Sequence, residues 1–355
     1  AYFCWFARQT DFEYMTDKFH PLPIDRLLKM MLQQHRKTGL ILGIPEELFF
    51  RPKPNDTFRM KRFGQLLESP VGVAAGPHTQ LAQNIVAAWL TGARFIELKT
   101  IQTLDELEIP KPCIDMQDEG YNCEWSQELK IKQSTDQYIN AWILIHVLKD
   151  YLKIGSPDEP GFVFNMSVGY NLEGILNENV QWFLDQMHDA SAAISQKLDL
   201  IRNIYPDVDK LKISPQLSDN VTLSTMHGCP PDEIEKIGEY LLSQRKLHTA
   251  IKLNPTLLGK ERVQEIMAST GFGTIVPDQA FEHDLKYDDA LDIIRNLQSL
   301  ANDQNLQFSL KLTNTLESKN HKTIFDVGQE MMYMSGRALH PLSVNLAARL
   351  QKDFH

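Results

Sequence analysis

The chain has 355 residues, 43% hydrophobic and 23% charged, the proportions of an ordinary globular protein. A formal net charge of −10 with no visible basic cluster sets it against a nucleic-acid backbone. Its longest apolar runs, such as Ala141 to Leu148, are too short to cross a bilayer.

In chain order, residues 1–14 read as a leader ahead of a start at Met15. Residues 15–70 read as a cap made of a helix and a hairpin. Ile24, Leu27, Leu28, Met31 and Leu32 recur at helical spacing, and Gly39 is a suitable stop. The stretch from Phe58 alternates and turns at Gly64, which predicts the hairpin. From residue 71 to 355, short strands alternate with amphipathic helices. The strands are expected at 71–76, 95–100, 162–167, 221–224, 250–255 and 308–315. The helices are expected at 81–90, 139–152, 179–200, 232–242 and 288–301. Such alternation implies parallel strands joined by crossover helices.

A doubly wound sheet and a β/α barrel both fit that pattern. They differ in where polar strand ends meet: only beside the switch point in an open sheet, all at one mouth in a barrel. Here nearly every strand finishes on a polar group: Lys99, Ser167, Ser224, Lys252 with Asn254, and Thr313 with Asn314. The expected fold is therefore α/β, a (β/α)8 TIM barrel with about six of its eight strands legible. The chain is expected to stop before strands seven and eight.

Several strand ends carry candidate chemistry. Ala74, Ala75 and Gly76 are small enough for a flat ligand to lie against backbone, and Gly76-Pro77 is a turn signal. Glu97 and Lys99 share a strand face, as a structural couple or as site residues. Asn165, Ser167 and Asn171 surround a glycine turn. Near-identical phrases, "IKLNPT" and "LKLTNT", place Lys252 and Lys311 inside apolar strands. An ammonium is almost never fully buried without a partner, so either these strand ends are exposed or something anionic or strongly polar is expected there. Lys311 either pairs with Glu97 or binds substrate. The acidic segment 113–125 reads as a lid over the mouth. Its Cys113 and Cys123 lack zinc spacing, so no metal is expected. The four cysteines form no Cys-x-x-Cys pair and nothing resembles a secretory signal, which points to a reducing, cytoplasmic setting.

The segments "AAGPHTQLAQNI", "FIELKT", "FNMSVGYNLEG", "VTLSTMHGCPP", "KLNPTLLG", "KLTNTL" and "MYMSGRALHPLS" together resemble the FMN-binding barrels of the dihydroorotate dehydrogenase type. The likeness is closest to the pyrimidine-reducing domain of dihydropyrimidine dehydrogenase and to the bacterial flavoproteins named as selenate reductase subunits. It runs from Met15 to the end. The resemblance implies FMN contacts at Ala74, Ala75, Gly76, Lys99, Asn165, Thr315 and Gly336, the last near the cofactor phosphate. It implies substrate contacts at Asn171, Asn254 and Asn314, Asn171 matching an asparagine of the ring-binding set. Lys252 corresponds to a lysine at the N1/O2 edge of the isoalloxazine, where it would stabilise the charge left by two-electron reduction. The pyrimidine enzymes carry Asn-Leu-Ser-Cys where this chain has Thr222, Leu223, Ser224 and Thr225, so the proton donor is left among Thr225, His227 and Cys229.

In function, the resemblance implies an FMN-dependent oxidoreductase domain. It would pass electrons from a partner NAD(P)H, FAD and [4Fe-4S] module to an oxidised acceptor such as a purine- or pyrimidine-like heterocycle. The chain shows neither cluster spacing nor a Gly-x-Gly-x-x-Gly fingerprint of its own. The phosphate site is expected to need strands seven and eight. Alternatives are a non-catalytic flavin or docking subunit, a reductase of an oxyanion such as selenate, and a flavin-free barrel using Lys252 or Lys99 as a Schiff-base nucleophile.

Overall fold

The computed structural model describes residues 19–105, 113–115, 120–123, 127–224, 228–321, 324–326 and 328–354. The proposed leader, Thr225 and His227 lie outside the described residues. The first helix, Ile24–Thr38, buries the predicted apolar stripe and stops at Gly39, whose φ of 70° lets its N–H reach His35 O at 2.8 Å. Asp25 in the first turn and Arg36 and Lys37 in the last complement the helix dipole.

The predicted hairpin pairs Met60–Arg62 with Gln65–Leu67. Phe63 and Gly64 both have positive φ, 53° and 73°, as a two-residue turn between twisted strands demands. This hairpin plugs the base of the main sheet. The Phe63 ring stacks on His248 at 5.1 Å and meets Phe95 at 6.3 Å. Its N–H donates to Gln307 Oε1 at 3.0 Å, and Gln65 donates to the Asp219 carboxylate at 2.9 Å.

Six parallel strands follow: β1 (Gly72–Val73), β2 (Phe95–Glu97), β3 (Val163–Val168), β4 (Asn220–Leu223), β5 (His248–Leu253) and β6 (Phe308–Leu312). They lie side by side in chain order without a reversal, so the sheet is singly wound and has no topological switch point. It is also curled. In a flat sheet β2 and β6 would stand four spacings apart, roughly 19 Å, yet Lys311 on β6 forms an ion pair with Glu97 on β2. The expected barrel architecture is thereby met.

Alternation along the strands separates two environments. Ile96, Leu98, Phe164, Met166, Val221, Leu223, Ile251 and Leu253 join the core shared with the helices. The intervening residues hydrogen-bond to one another across the strands. Asn165 donates to Asn220 Oδ1 at 2.8 Å and accepts from Thr222 Oγ1 at 2.6 Å. Thr100 and Ser167 meet at 2.8 Å, and Ser167 and Ser224 at 3.4 Å. With a side-chain period of two, polar residues occupy one face of the wall while the apolar alternates pack outward.

Three features depart from the sequence reading. The helix expected at 139–152 begins at Ile131, because its polar first turns bury Ser134, Thr135 and Gln137 against the barrel. The single helix expected at 179–200 is two, Glu178–His188 and Ser191–Ile201. Asp189 leaves the helical region and accepts the Ser191 N–H at 2.9 Å, while Ala190 N–H turns to Pro215 O. The described part of the acidic segment forms strands Ile114–Asp115 and Tyr121–Asn122 in a four-stranded antiparallel sheet with Leu316–Lys319 and Met331–Met334. That sheet was not foreseen. No helix among the described residues is long and apolar enough to cross a membrane.

Beneath the barrel, Arg94 and Glu68 form a buried ion pair at 2.8 Å. Arg94 also donates to Trp89 O at 2.7 Å and lies 5.0 Å from the Phe50 ring. Gly155 and Gly161 pass so close that a Cβ on either would come within 2.5 Å of the Glu68 carboxyl. Removing one partner of such a pair leaves a buried charge uncompensated. Glu68→Ala is therefore expected to lose about 3–5 kcal/mol of stability in urea denaturation; a loss below about 1 kcal/mol would contradict this role.

Candidate functional site

At the carboxyl end of β1 the chain runs through Ala74, Ala75 and Gly76 and turns at Pro77. The Ala75 N–H donates to Glu97 Oε2 at 3.0 Å. Gly76 N–H donates to Thr79 Oγ1, and Thr79 donates back to Gly76 O, both at 3.1 Å. A Cβ at Gly76 would sit 2.6 Å from His78 Cε1, so the exposed His78 ring would have to shift to admit one. Desolvation first, then the neighbouring Lys99, lower the His78 pKa; a hydrogen bond to Ala74 works against them.

Across the sheet, three lysines gather around one carboxylate. Glu97 is buried, 2% exposed. One oxygen takes the Ala75 N–H and the Lys311 ammonium; the other, Oε1, is buried without a hydrogen-bond partner among the described residues. The pairing of Lys311 with Glu97, one of the two alternatives open from sequence, is therefore formed. Lys252 is the register neighbour of Lys311. Neither the Lys252 nor the Lys99 ammonium has a hydrogen-bond partner among the described residues. Burial pushes Lys99 down to about 8, with Glu128 and Cys113 opposing. Burial pushes Lys252 down to about 7; Lys311 and Lys99 lower it further, and Glu97 opposes. Among the described residues, Lys311 is the lysine of the three that is ion-paired with Glu97.

Beside Lys252 lies a recess lined by Cys229, Asn254 and Asp284, with Ile234 and Ile251 as apolar walls. Cys229 precedes the helix Pro231–Ser243, whose Pro231 suits a first helical position. Burial pushes its thiol up to about 11, helped by Glu233 and Asp232. At neutral pH this sulfur carries its proton, which argues against a thiolate nucleophile. Asp284, 4% exposed, accepts from Gly228 N–H at 3.1 Å and from Thr256 Oγ1 at 2.7 Å.

The other sequence-derived residues fall in several places. Asn314 donates its N–H to Leu253 O at 2.7 Å, next to Lys252, and its Oδ1 accepts from Thr315 N–H at 3.1 Å. Asn165 lies in the strand network, with both ends of its amide engaged. Asn171 is exposed and caps the short helix Leu172–Ile175 through Gly174 N–H at 2.9 Å. Gly336 has a φ of 69° and begins the turn into the helix Leu339–Asp353. That helix approaches the mouth through Ser343, 3.1 Å from Thr313 Oγ1. Sequence reasoning missed His78 and Asp284. The first stood inside a quoted motif; the second carried no signal at all.

The chain's own groups set a pH dependence of stability. In the unfolded chain Lys252 titrates near 10.4 and in the fold near 7, so folding carries a charge-burial penalty below about 7 that fades as pH rises from 7 to 10. Lys252→Met is expected to raise the thermal midpoint of the ligand-free protein at about pH 6, with the gain shrinking towards about pH 10. A gain that is absent at the acid end or grows with pH would overturn this reading.

The described geometry coincides with similarity to known proteins. Residues 42–355 match a family model described as "Oxidoreductase YgfK, N-terminal TIM-barrel domain". Two curated relatives, both named "Putative oxidoreductase YgfK" and found in Escherichia coli K12 and Escherichia coli O157:H7, are each 46% identical over 362 aligned residues. The alignment takes in 96% of this chain and 34% of each relative, so the chain spans about a third of their length.

Proposed function

The chain belongs to the YgfK oxidoreductase family, matching its N-terminal TIM-barrel domain, and from that premise we propose that the barrel mouth binds FMN and reduces a planar nitrogen heterocycle of purine or pyrimidine type. The observation that carries the reading is the pair of lysines at the mouth, Lys99 buried and Lys252 half-buried, whose ammonium groups make no hydrogen bond among the described residues while Lys311 holds Glu97. A ligand with an electron-rich polar edge would complete them. The donor set fits such a ligand: two ammonium groups, a buried Glu97 Oε1 with no partner among the described residues, and a wall of small residues at Ala74, Ala75 and Gly76.

FMN, when bound, supplies a hydride. Lys252 would hold positive charge against the pyrimidine edge of the ring system, and Lys99 would support it from the end of β2. Ala74, Ala75 and Gly76 would offer backbone to the flat face, while Thr315 and the turn at Gly336 would contribute to holding the cofactor. Asn254 and Asn314, at the ends of β5 and β6, would orient the acceptor. Of the proton-donor candidates, Cys229 is favoured by its place in the recess. Electrons would arrive from an NAD(P)H, FAD and iron–sulfur module, and the acceptor could instead be an oxyanion, which the same cations would attract.

A lysine titrating near 7 also suits Schiff-base chemistry; borohydride trapping of a carbonyl compound on Lys252 would mark that reading. For the flavin reading, the full-length polypeptide carrying this barrel is expected to be yellow and to release FMN on denaturation. It should bleach with dithionite and recover on addition of a purine or pyrimidine. Lys252→Met should weaken FMN binding about ten-fold or more, the loss of one charge-assisted hydrogen bond. A colourless full-length protein that takes up no FMN in a fluorescence titration would refute it.

A further inference from the structure

We propose that Asp284 is a positioning residue that ties the Gly228–Cys229 segment to the end of β5 and so keeps the Cys229 thiol in the recess beside Lys252. The role of that thiol as an acid rests on the flavin reading; the tie itself rests on geometry. Asp284 lies between the helices Asp278–His283 and Tyr287–Asp303. From there its carboxylate reaches two different strand ends. Oδ1 accepts the Gly228 N–H, on the segment after β4, and Oδ2 accepts the Thr256 hydroxyl, in the turn after β5.

A buried carboxylate is costly unless its oxygens are satisfied, and charge-assisted hydrogen bonds are the stronger kind. The carboxylate therefore anchors both segments at once. Gly228 supports this arrangement through its φ of 77°, a left-handed conformation that side chains rarely adopt. Space is not the reason for glycine there, because an added Cβ would meet its nearest neighbour, His283 Cβ, at an ordinary 3.7 Å. One residue later, Cys229 is followed by Pro230 and by the helix that begins at Pro231. Its backbone is thus held on both sides: by Asp284 through Gly228, and by the rigid start of the helix.

Site-resolved alkylation with iodoacetamide tests the tie on the ligand-free chain, with Cys229→Ser as the background. Asp284→Ala is expected to speed modification of Cys229 about ten-fold or more, while the buried Cys113 and Cys123 keep their rates. Thr256→Val removes one arm and is expected to give a smaller increase in the same direction. An unchanged Cys229 rate in Asp284→Ala would overturn the proposal. So would equal acceleration at Cys113 and Cys123, which would make Asp284 a support of the whole fold. If Asp284→Ala does not fold, an unchanged Cys229 rate in Thr256→Val overturns it. The measurement involves no flavin, so its failure and the failure of the flavin reading are separate results.

Discussion

The carboxylate of Glu97 holds Lys311 of β6, with Lys252 of β5 as the register neighbour of that lysine and Lys99 two residues beyond Glu97, and the arrangement of the mouth follows from that pairing. Its ion pair with Lys311 draws the second and sixth strands together across the interior. Its second contact, with the Ala75 N–H, fixes the end of β1 against the same group. One acid thus organises both edges of the sheet. Burial lowers the proton affinity of Lys99 and Lys252, opposed by Glu128 and Cys113 at the first and by Glu97 at the second.

The barrel tolerates this because its strands divide their residues between two environments. TIM-barrel interiors are usually filled by bulky branched side chains. In this chain the apolar alternates go to the helices, and one face of the wall carries hydroxyls, amides and charges that satisfy one another. The two ends contrast. At the base, aromatic stacking on Phe63 and the buried Arg94–Glu68 couple close the structure. At the mouth, the described polar groups are left incompletely paired, and such a shortfall is what a ligand site requires.

Cys229 and Lys252 present opposite proton affinities on the walls of one recess. Burial raises the thiol and lowers the ammonium, because in both cases it disfavours the charged form. The segment carrying the thiol reaches the recess through contacts made by Gly228 and Asp284, which lie outside the lysine cluster.

Much of the architecture was legible in the sequence. The six strands, their parallel order and the polar ends at one mouth follow from period-two patterning and regular strand–helix alternation, which are local properties of the chain. Lysine inside the phrases around Lys252 and Lys311 announced an unusual environment for the same reason. Other features depend on contacts between distant segments. The short strands Ile114–Asp115 and Met331–Met334 are too brief to carry a pattern and join one sheet only through the strand between them. The break at Asp189 depends on residues 215–218, which take up the carbonyls and amides the helix releases. Sequence by itself determined which side chains are apolar, which are charged and how they alternate along each strand. Tertiary structure alone decided that Lys311 takes Glu97 while Lys99 and Lys252 do not, and that Asp284 reaches Gly228. The physical reason is that ion pairing and hydrogen bonding fall off within a few ångströms, and those distances are set only when the sheet curls.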